Sequence, residues 1–227
     1  MSVRVVTVDG PAGSGKSTLG RRLATVLGLA YIDTGLFYRA LTVAVVRAGL
    51  GPGDAERVVE LAGTAGIEVN TDPGDESWEV RVDGADPGPG IRDPAHAALL
   101  TAVSQLPGVR RHLLPLQRAP AARGAVAVGR DCGTVVFPDA MVKLYLQATE
   151  ALRAERRAAE LARRGAAVDR DTLRDEIGGR DRGDARAMAA APDAVVIDTG
   201  SHGVDEMVEV ALRLCAAAGL TNPDLRR

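Results

Sequence analysis

The sequence predicts an α/β protein: a five-stranded parallel sheet with helices on both faces, a small β-rich insertion and a helical lid. Three observations carry this. Short apolar runs of strand type recur at residues 3–8, 30–32, 125–128, 141–146 and 194–197. Segments of helical spacing separate them. The first run stops at Asp9 and passes through Gly10-Pro11-Ala12-Gly13-Ser14-Gly15-Lys16-Ser17-Thr18 into a helix with Leu19, Leu23, Val26 and Leu27 on one side. Strand, glycine loop and helix in that order form a recurring phosphate-binding unit.

The chain justifies each element in turn. Gly28 is placed to end the first helix in a left-handed turn. The second strand runs out at Asp33-Thr34-Gly35, and Phe37, Leu41, Ala44, Val45 and Ala48 mark one face of the helix after it, stopped at Gly49. Residues 54–65 form a further helix, ended by Gly66. The pattern then changes to strand alternation at 67–69 and 78–82, with Asp83-Gly84 as a hairpin signal and repeated Pro-Gly breaks. This is the insertion, about residues 66–92. Helical spacing returns at 96–104 and 109–114, and Pro115 is expected to end or kink the second of these. After the third strand comes Gly129-Arg130-Asp131. An arginine-dense helical region, 150–186, precedes the fifth strand, a last helix spans 204–218, and the tail beyond Gly219 is expected to fray. A single domain results: a core of about 1–65, 93–150 and 190–220, the insertion, and a lid of about 151–187.

At 227 residues with net charge −2, the chain has ample length for one core and no basic excess for a nucleic acid or membrane surface. Cys132 and Cys215 lie far apart with no metal spacing, which suits a reducing compartment. The N-terminus has no signal-peptide layout and no apolar run is long enough to span a bilayer, so a cytoplasmic monomer acting on small molecules is expected.

The loop's residue types suit phosphate. Glycines let backbone amides converge on an anion, the helix adds its positive end, Lys16 brings a compact charge, and the Ser17 hydroxyl can complete a Mg²⁺ shell. Lys16 and Lys143 are the only lysines in a chain that otherwise uses arginine. Arg39 and Arg130 each sit just past a strand end, where an open α/β sheet places ligands, and a guanidinium fork suits an acceptor phosphate. His96, His112 and His202 are scattered and read as ordinary residues.

The segments VDGPAGSGKST (8–18), DTGLFYRAL (33–41), IRD (91–93), PGVR (107–110), GRDCGTVVFPDA (129–140), VKLYL (142–146) and Arg180-Asp181 with Asp184 and Arg186 resemble, in order, the nucleoside-monophosphate kinases. Within them they resemble the long bacterial type of cytidylate kinase, a P-loop kinase whose extra substrate-side subdomain the β-rich insertion also matches. The resemblance implies ATP:CMP phosphotransfer, with dCMP as a second acceptor. It implies that Gly10 through Thr18 hold the ATP phosphates with Mg²⁺ at Ser17, and that Arg39 and Arg130 grip the acceptor phosphate. Thr34 would line the acceptor pocket. Thr101, Arg110 and Asp131 would read the cytosine, with Ser104 one turn from Thr101 as an alternative. Arg180 and Asp184 would reach the ribose, Arg186 would close over the base or phosphates, and Arg156 and Arg157 would serve as lid arginines. A carboxylate accepts from the cytosine amino group and repels the uracil carbonyl, so UMP is expected to be a poorer substrate.

The chain departs from this pattern in four places. Val128 stands before Gly129 where an acidic residue is usual, leaving Asp33 or Asp9 to substitute. The stretch from Arg180 to Arg186 is about one residue short, Pro115 interrupts a helix, and Cys132 replaces a larger apolar residue. Kinases for UMP, AMP or shikimate are the rivals within the class. A GTPase switch would need an N-K-x-D guanine reader, and the chain has none. An ATPase motor would need an apolar strand ending in adjacent acids, and Val126-Ala127-Val128-Gly129 ends in none.

Overall fold

The computed structural model describes residues 3–75, 77–163 and 189–222. Strand β1 (Val3–Asp9) lies at the centre of a five-stranded sheet. Its neighbours are β5 (Ala125–Gly129) and β6 (Ala140–Gln147). Outside these lie β2 (Ala30–Asp33) and β7 (Val195–Asp198), and every pairing is parallel. The pleat explains the two cores. Val5 packs with Ala125, Ala127 and Ile32 on one face, while Val6 and Val8 pack with Val126, Val128 and Leu144 on the other. All these side chains are buried, so the strands read as continuous apolar runs.

Helix α1 (Lys16–Leu27) and the last helix, α7 (Val204–Ala217), cover the Val6 face through Leu19, Leu23, Met207, Ala211 and Cys215. Gly28 ends α1 in the left-handed conformation, and its amide bonds back to Ala24 and Thr25. The Val5 face is covered by α2 (Thr34–Arg47), with α3 (Ala55–Thr64), α4 (Ala97–Gln105) and α5 (Pro107–Arg118) packed around it. Helix α6 (Glu150–Arg163) opens the arginine-dense region. Residues 164–188, and with them Arg180, Asp184 and Arg186, lie outside the described residues.

The insertion is a separate antiparallel pair, β3 (Ile67–Thr71) and β4 (Trp78–Val82), in register from Ile67 opposite Val82 to Thr71 opposite Trp78. Ile67, Val80 and Val82 turn inward onto the α2 side of the core. The Thr71 hydroxyl donates to the Tyr31 carbonyl, which fastens the pair to β2.

Two local expectations are corrected. Asp83-Gly84 does form a tight turn with both residues at positive φ, 53° and 76°. That turn folds Val82 onto Ala85 after β4, so it is not the connection between β3 and β4. Pro115 does not stop α5, which runs on to Arg118. Val109, Leu113 and Gln117 bury one side of the helix on both sides of the proline. Pro115 and Arg111 share the exposed side, so the carbonyl deprived of its donor faces water.

Candidate active site

The loop between β1 and α1 requires glycine at three points. Gly10, Gly13 and Gly15 have φ of 145°, 77° and 94°. A Cβ on Gly13 would sit 3.0 Å from the Arg153 carbonyl, whereas Gly15 has nothing within 4 Å. The first is packed and the second faces open space. Helix α1 begins at Lys16 with no side-chain cap and no acidic residue in its first turn, so its leading amides are not neutralised from within. Ser14 is fully buried and its Oγ has no partner. An unsatisfied hydroxyl, open space at a left-handed glycine and uncapped amides fit a polyphosphate.

The Lys16 ammonium donates to the Pro11 carbonyl at 2.6 Å. Burial first and the nearby Arg130 charge second draw its pKa down, against Asp33 and Asp9, which act the other way, to about 8 in all. Two of the expected site cations, one following β1 and one following its neighbour β5, are therefore close enough to repel. An anion between them removes that penalty.

Three carboxylates stand at neighbouring strand ends. Asp33 caps α2 through Oδ1, which accepts from the Gly35 amide at 3.0 Å. Asp9 is buried, its Oδ1 accepting from the Cys132 amide at 2.8 Å and its Oδ2 from the Gly133 amide at 2.7 Å. Burial raises its pKa, with Asp131 adding to the effect. Asp131 is buried too and pairs with the Arg110 guanidinium. Val128, which lies beside Asp33 in the β2–β5 register, places a methyl-bearing side chain where a fourth carboxylate would stand.

Arg110 reaches Asp131 from α5 and also donates to the Ser104 carbonyl at 3.5 Å. Burial, the largest single influence, works against its charge, but Asp131 and Tyr38 together outweigh it, so its pKa is raised. The Tyr38 phenol is held neutral by burial close to this pair. Arg39 donates to the Ile91 carbonyl at 3.2 Å and lines a small pocket with Thr42, Asp93, His96 and Leu100. The IRD segment of the insertion thus forms one wall beside Arg39.

Other expected residues are engaged elsewhere. Thr34 is buried, and its hydroxyl donates to the Val128 carbonyl at 3.0 Å, tying α2 to β5 rather than facing a ligand. The Thr101 hydroxyl donates to Ala97 one turn back at 3.0 Å, and Ser104 to Thr101 at 2.9 Å, so both are turned to their own helix. Arg156 forks onto the hydroxyl and carbonyl of Thr199 beyond β7, both at 2.8 Å. Arg157 is half-buried on the same helix. The arginine of α6 that meets the phosphate loop is Arg153, absent from the sequence reading. It is buried and donates to the Ala12 carbonyl at 3.2 Å. Tyr38, which the sequence shows beside Arg39 past the second strand but with no role of its own, lies near the Arg110–Asp131 pair. Arg153 carried no signal in the sequence, since a buried arginine in an arginine-dense helix looks like its exposed neighbours.

A phosphate loop at the end of the central strand, with arginines and a paired carboxylate at the ends of the strands beside it, defines a P-loop kinase of small phosphate acceptors. The family model for cytidylate kinase matches residues 6–217. The chain is 41% identical to the cytidylate kinase of Pelotomaculum thermopropionicum, over 93% of this chain and 96% of that one. It is 42% identical to that of Mycobacterium avium, over 90% and 92%. It is also 42% identical to the bifunctional pantoate ligase/cytidylate kinase of Synechococcus elongatus, over 95% of this chain but only 42% of that longer protein. The chain belongs to the cytidylate kinase family, and it spans about two-fifths of the length of the bifunctional relatives it matches. Among the described residues no helix is long and apolar enough to cross a membrane.

Proposed function

We propose that the protein transfers the γ-phosphate of ATP to CMP, with dCMP as a second acceptor, giving CDP or dCDP and ADP, as a cytoplasmic monomer. The observation that carries this is the pairing of half-buried Arg110 with buried Asp131, one residue from Arg130, whose charge already bears on Lys16. A base-reading group, an acceptor-phosphate group and a donor-phosphate group are thus joined through adjacent residues.

In this reading residues Gly10 to Thr18 cradle the donor phosphates, and Arg39 and Arg130 hold the acceptor phosphate. The acceptor is itself an anionic nucleophile, so no side chain has to remove a proton from it. The protein's task is to align two anions that repel each other, which Lys16, Arg39 and Arg130 do by charge and by fork geometry. Ser17 in the first turn of α1 is the residue to hold Mg²⁺, which when bound with ATP offsets charge on the β- and γ-phosphates. In this reading Asp33, with one oxygen engaged by Gly35, supports it through water in preference to Asp9, both of whose oxygens accept backbone amides. Arg153 steadies the loop from α6, and in this reading Arg157 serves as the lid arginine. The insertion supports Arg39 through Ile91.

ADP release from ATP with CMP, dCMP, UMP, AMP, GMP and shikimate, side by side, tests the assignment. CMP and dCMP are expected to lead, and a preference for AMP or shikimate overturns it. Asp131→Asn should narrow the preference for CMP over UMP by about tenfold, because a carboxylate that accepts only becomes a group that both donates and accepts. An unchanged ratio of the two kcat/KM values would move base reading elsewhere.

The state of Lys16 sets a further expectation. Bound phosphates stabilise its ammonium, so binding at high pH takes up a proton. ATP affinity should be level up to about pH 8 and then fall towards tenfold per pH unit as the free protein loses that proton. Titration calorimetry in buffers of different ionisation enthalpy reads the uptake directly, and no uptake at pH 9 would contradict the assignment.

A further inference from the structure

The buried carboxylate of Asp9 joins two parts of the site that lie far apart in sequence. It is the last residue of β1, directly before Gly10, where the phosphate loop departs. Its two oxygens each accept one of two consecutive amides, Cys132 at 2.8 Å and Gly133 at 2.7 Å. Those amides open a single wide turn, Cys132–Val136, that follows immediately on Arg130-Asp131. Leading amides of a helical turn have no partners of their own, and this turn carries no side-chain cap from Asp131. Asp9 supplies both acceptors from another strand. At the far end Arg118 of α5 donates to the carbonyls of Val135 and Val136 at 3.0 and 2.6 Å.

Gly133 shows how closely the joint is built. A Cβ there would stand 2.9 Å from Thr7 Oγ1, 3.3 Å from Lys143 Cδ and 3.4 Å from Asp9 Oδ2, so only glycine lets this amide reach the carboxylate. A side chain serving only to fill the space could be apolar and avoid the cost of burying a charge. Two-point acceptance needs a carboxylate, because an asparagine in this place would turn an NH₂ towards one of the two N–H groups.

We propose that Asp9 is a positioning residue that sets the acceptor turn, and with it Arg130 and Asp131, at a fixed offset from the donor phosphate loop. It touches neither substrate in this role. It makes the separation of the two reacting phosphates a property of one buried joint. The inference rests on the CMP kinase reading above only for the choice of acceptor.

Asp9→Asn in the full chain tests it. At pH 7, below the range in which Asp9 bears on the protonation of Lys16, the KM for CMP is expected to rise about tenfold or more and the preference for CMP over UMP to narrow, while affinity for a fluorescent ATP analogue changes less than about twofold. Gly133→Ala, which crowds the same joint from the other side, should give the same split. The double variant should lose little more than either single one. Hydrogen exchange in the peptide covering 129–137 should quicken in both variants with no substrate present. Unchanged CMP kinetics with unchanged exchange overturns the proposal. So does an equal loss for ATP and CMP that follows a lowered melting temperature, which would mark Asp9 as a general stabilising residue. If the wild-type protein prefers another acceptor, the CMP reading fails, while the same KM comparison with that acceptor and the exchange measurement still decide the role of Asp9.

Discussion

Replacing Lys16 by alanine is expected to lower phosphoryl transfer about a thousandfold or more, since it removes the one lysine of the phosphate loop from a water-poor site. The fold should not suffer. The half-buried Lys16 ammonium lies against the Pro11 carbonyl, with the Arg130 charge nearby and a pKa already drawn down to about 8. Taking away such a group relieves desolvation and repulsion together, so the melting temperature of Lys16→Ala should equal or exceed that of the parent chain. A coupled assay of ADP release and a thermal denaturation curve read the two effects separately. Transfer near the parent rate would remove the loop from the mechanism. A collapse in stability would mean that the ammonium has a structural partner as well.

Arg130→Ala should be nearly as damaging, but on the other substrate. Two charge-assisted hydrogen bonds to the acceptor phosphate are at stake, and losing them should raise the KM for CMP on the order of a hundredfold. ATP binding should survive. A second consequence follows from the effect of Arg130 on Lys16. Without that neighbouring positive charge the Lys16 pKa climbs towards its ordinary value, and the alkaline fall in ATP affinity should begin at higher pH than in the parent protein. An Arg130 that merely decorated the surface would move neither the KM nor this profile.

Much of the fold was legible because local signals and tertiary packing agree here. The run VRVVTVD ends in the glycine loop and becomes the central strand, and Gly28 and Gly49 stop their helices at positive φ as expected. Pro115 and Asp83-Gly84 misled for opposite reasons. At Pro115 burial on both sides overrode a local breaker, while at Asp83-Gly84 the local turn formed but the strand partner was elsewhere in sequence. Packing constraints without a sequence signature stayed hidden. Gly20 lies inside α1, where it looks merely unfavourable, yet a Cβ there would meet the Val128 side chain and come within 3.2 Å of the Tyr31 ring. It lets the helix lie close on the sheet.

The candidate site was readable at the level of which segments take part, and less so at the level of side chains. Lys16, Arg39, Arg110, Arg130 and Asp131 come from segments that the fold gathers at neighbouring strand ends. Thr34 and Thr101 have hydroxyls of the right type, but each finds a backbone carbonyl closer at hand, a competition a sequence does not display. Arg156 likewise finds Thr199, a partner 43 positions away. Arg153 and Asp9 act through backbone carbonyls and amides of distant segments, which leave no residue pattern to match.

The strand order β2-β5-β1-β6-β7 also bears on how the chain comes into being. Of this sheet's five strands the first made is the innermost one, and its two neighbours begin at Ala125 and Ala140. At a synthesis rate of about 5–20 residues per second, β1 waits several seconds or more for its first partner to leave the ribosome. Until then a buried-type strand and a glycine-rich loop have no sheet to join. Productive folding of the nascent chain is therefore a late event, reached only after β5 has been made, and shorter N-terminal fragments carry exposed strand edges with nothing to pair them.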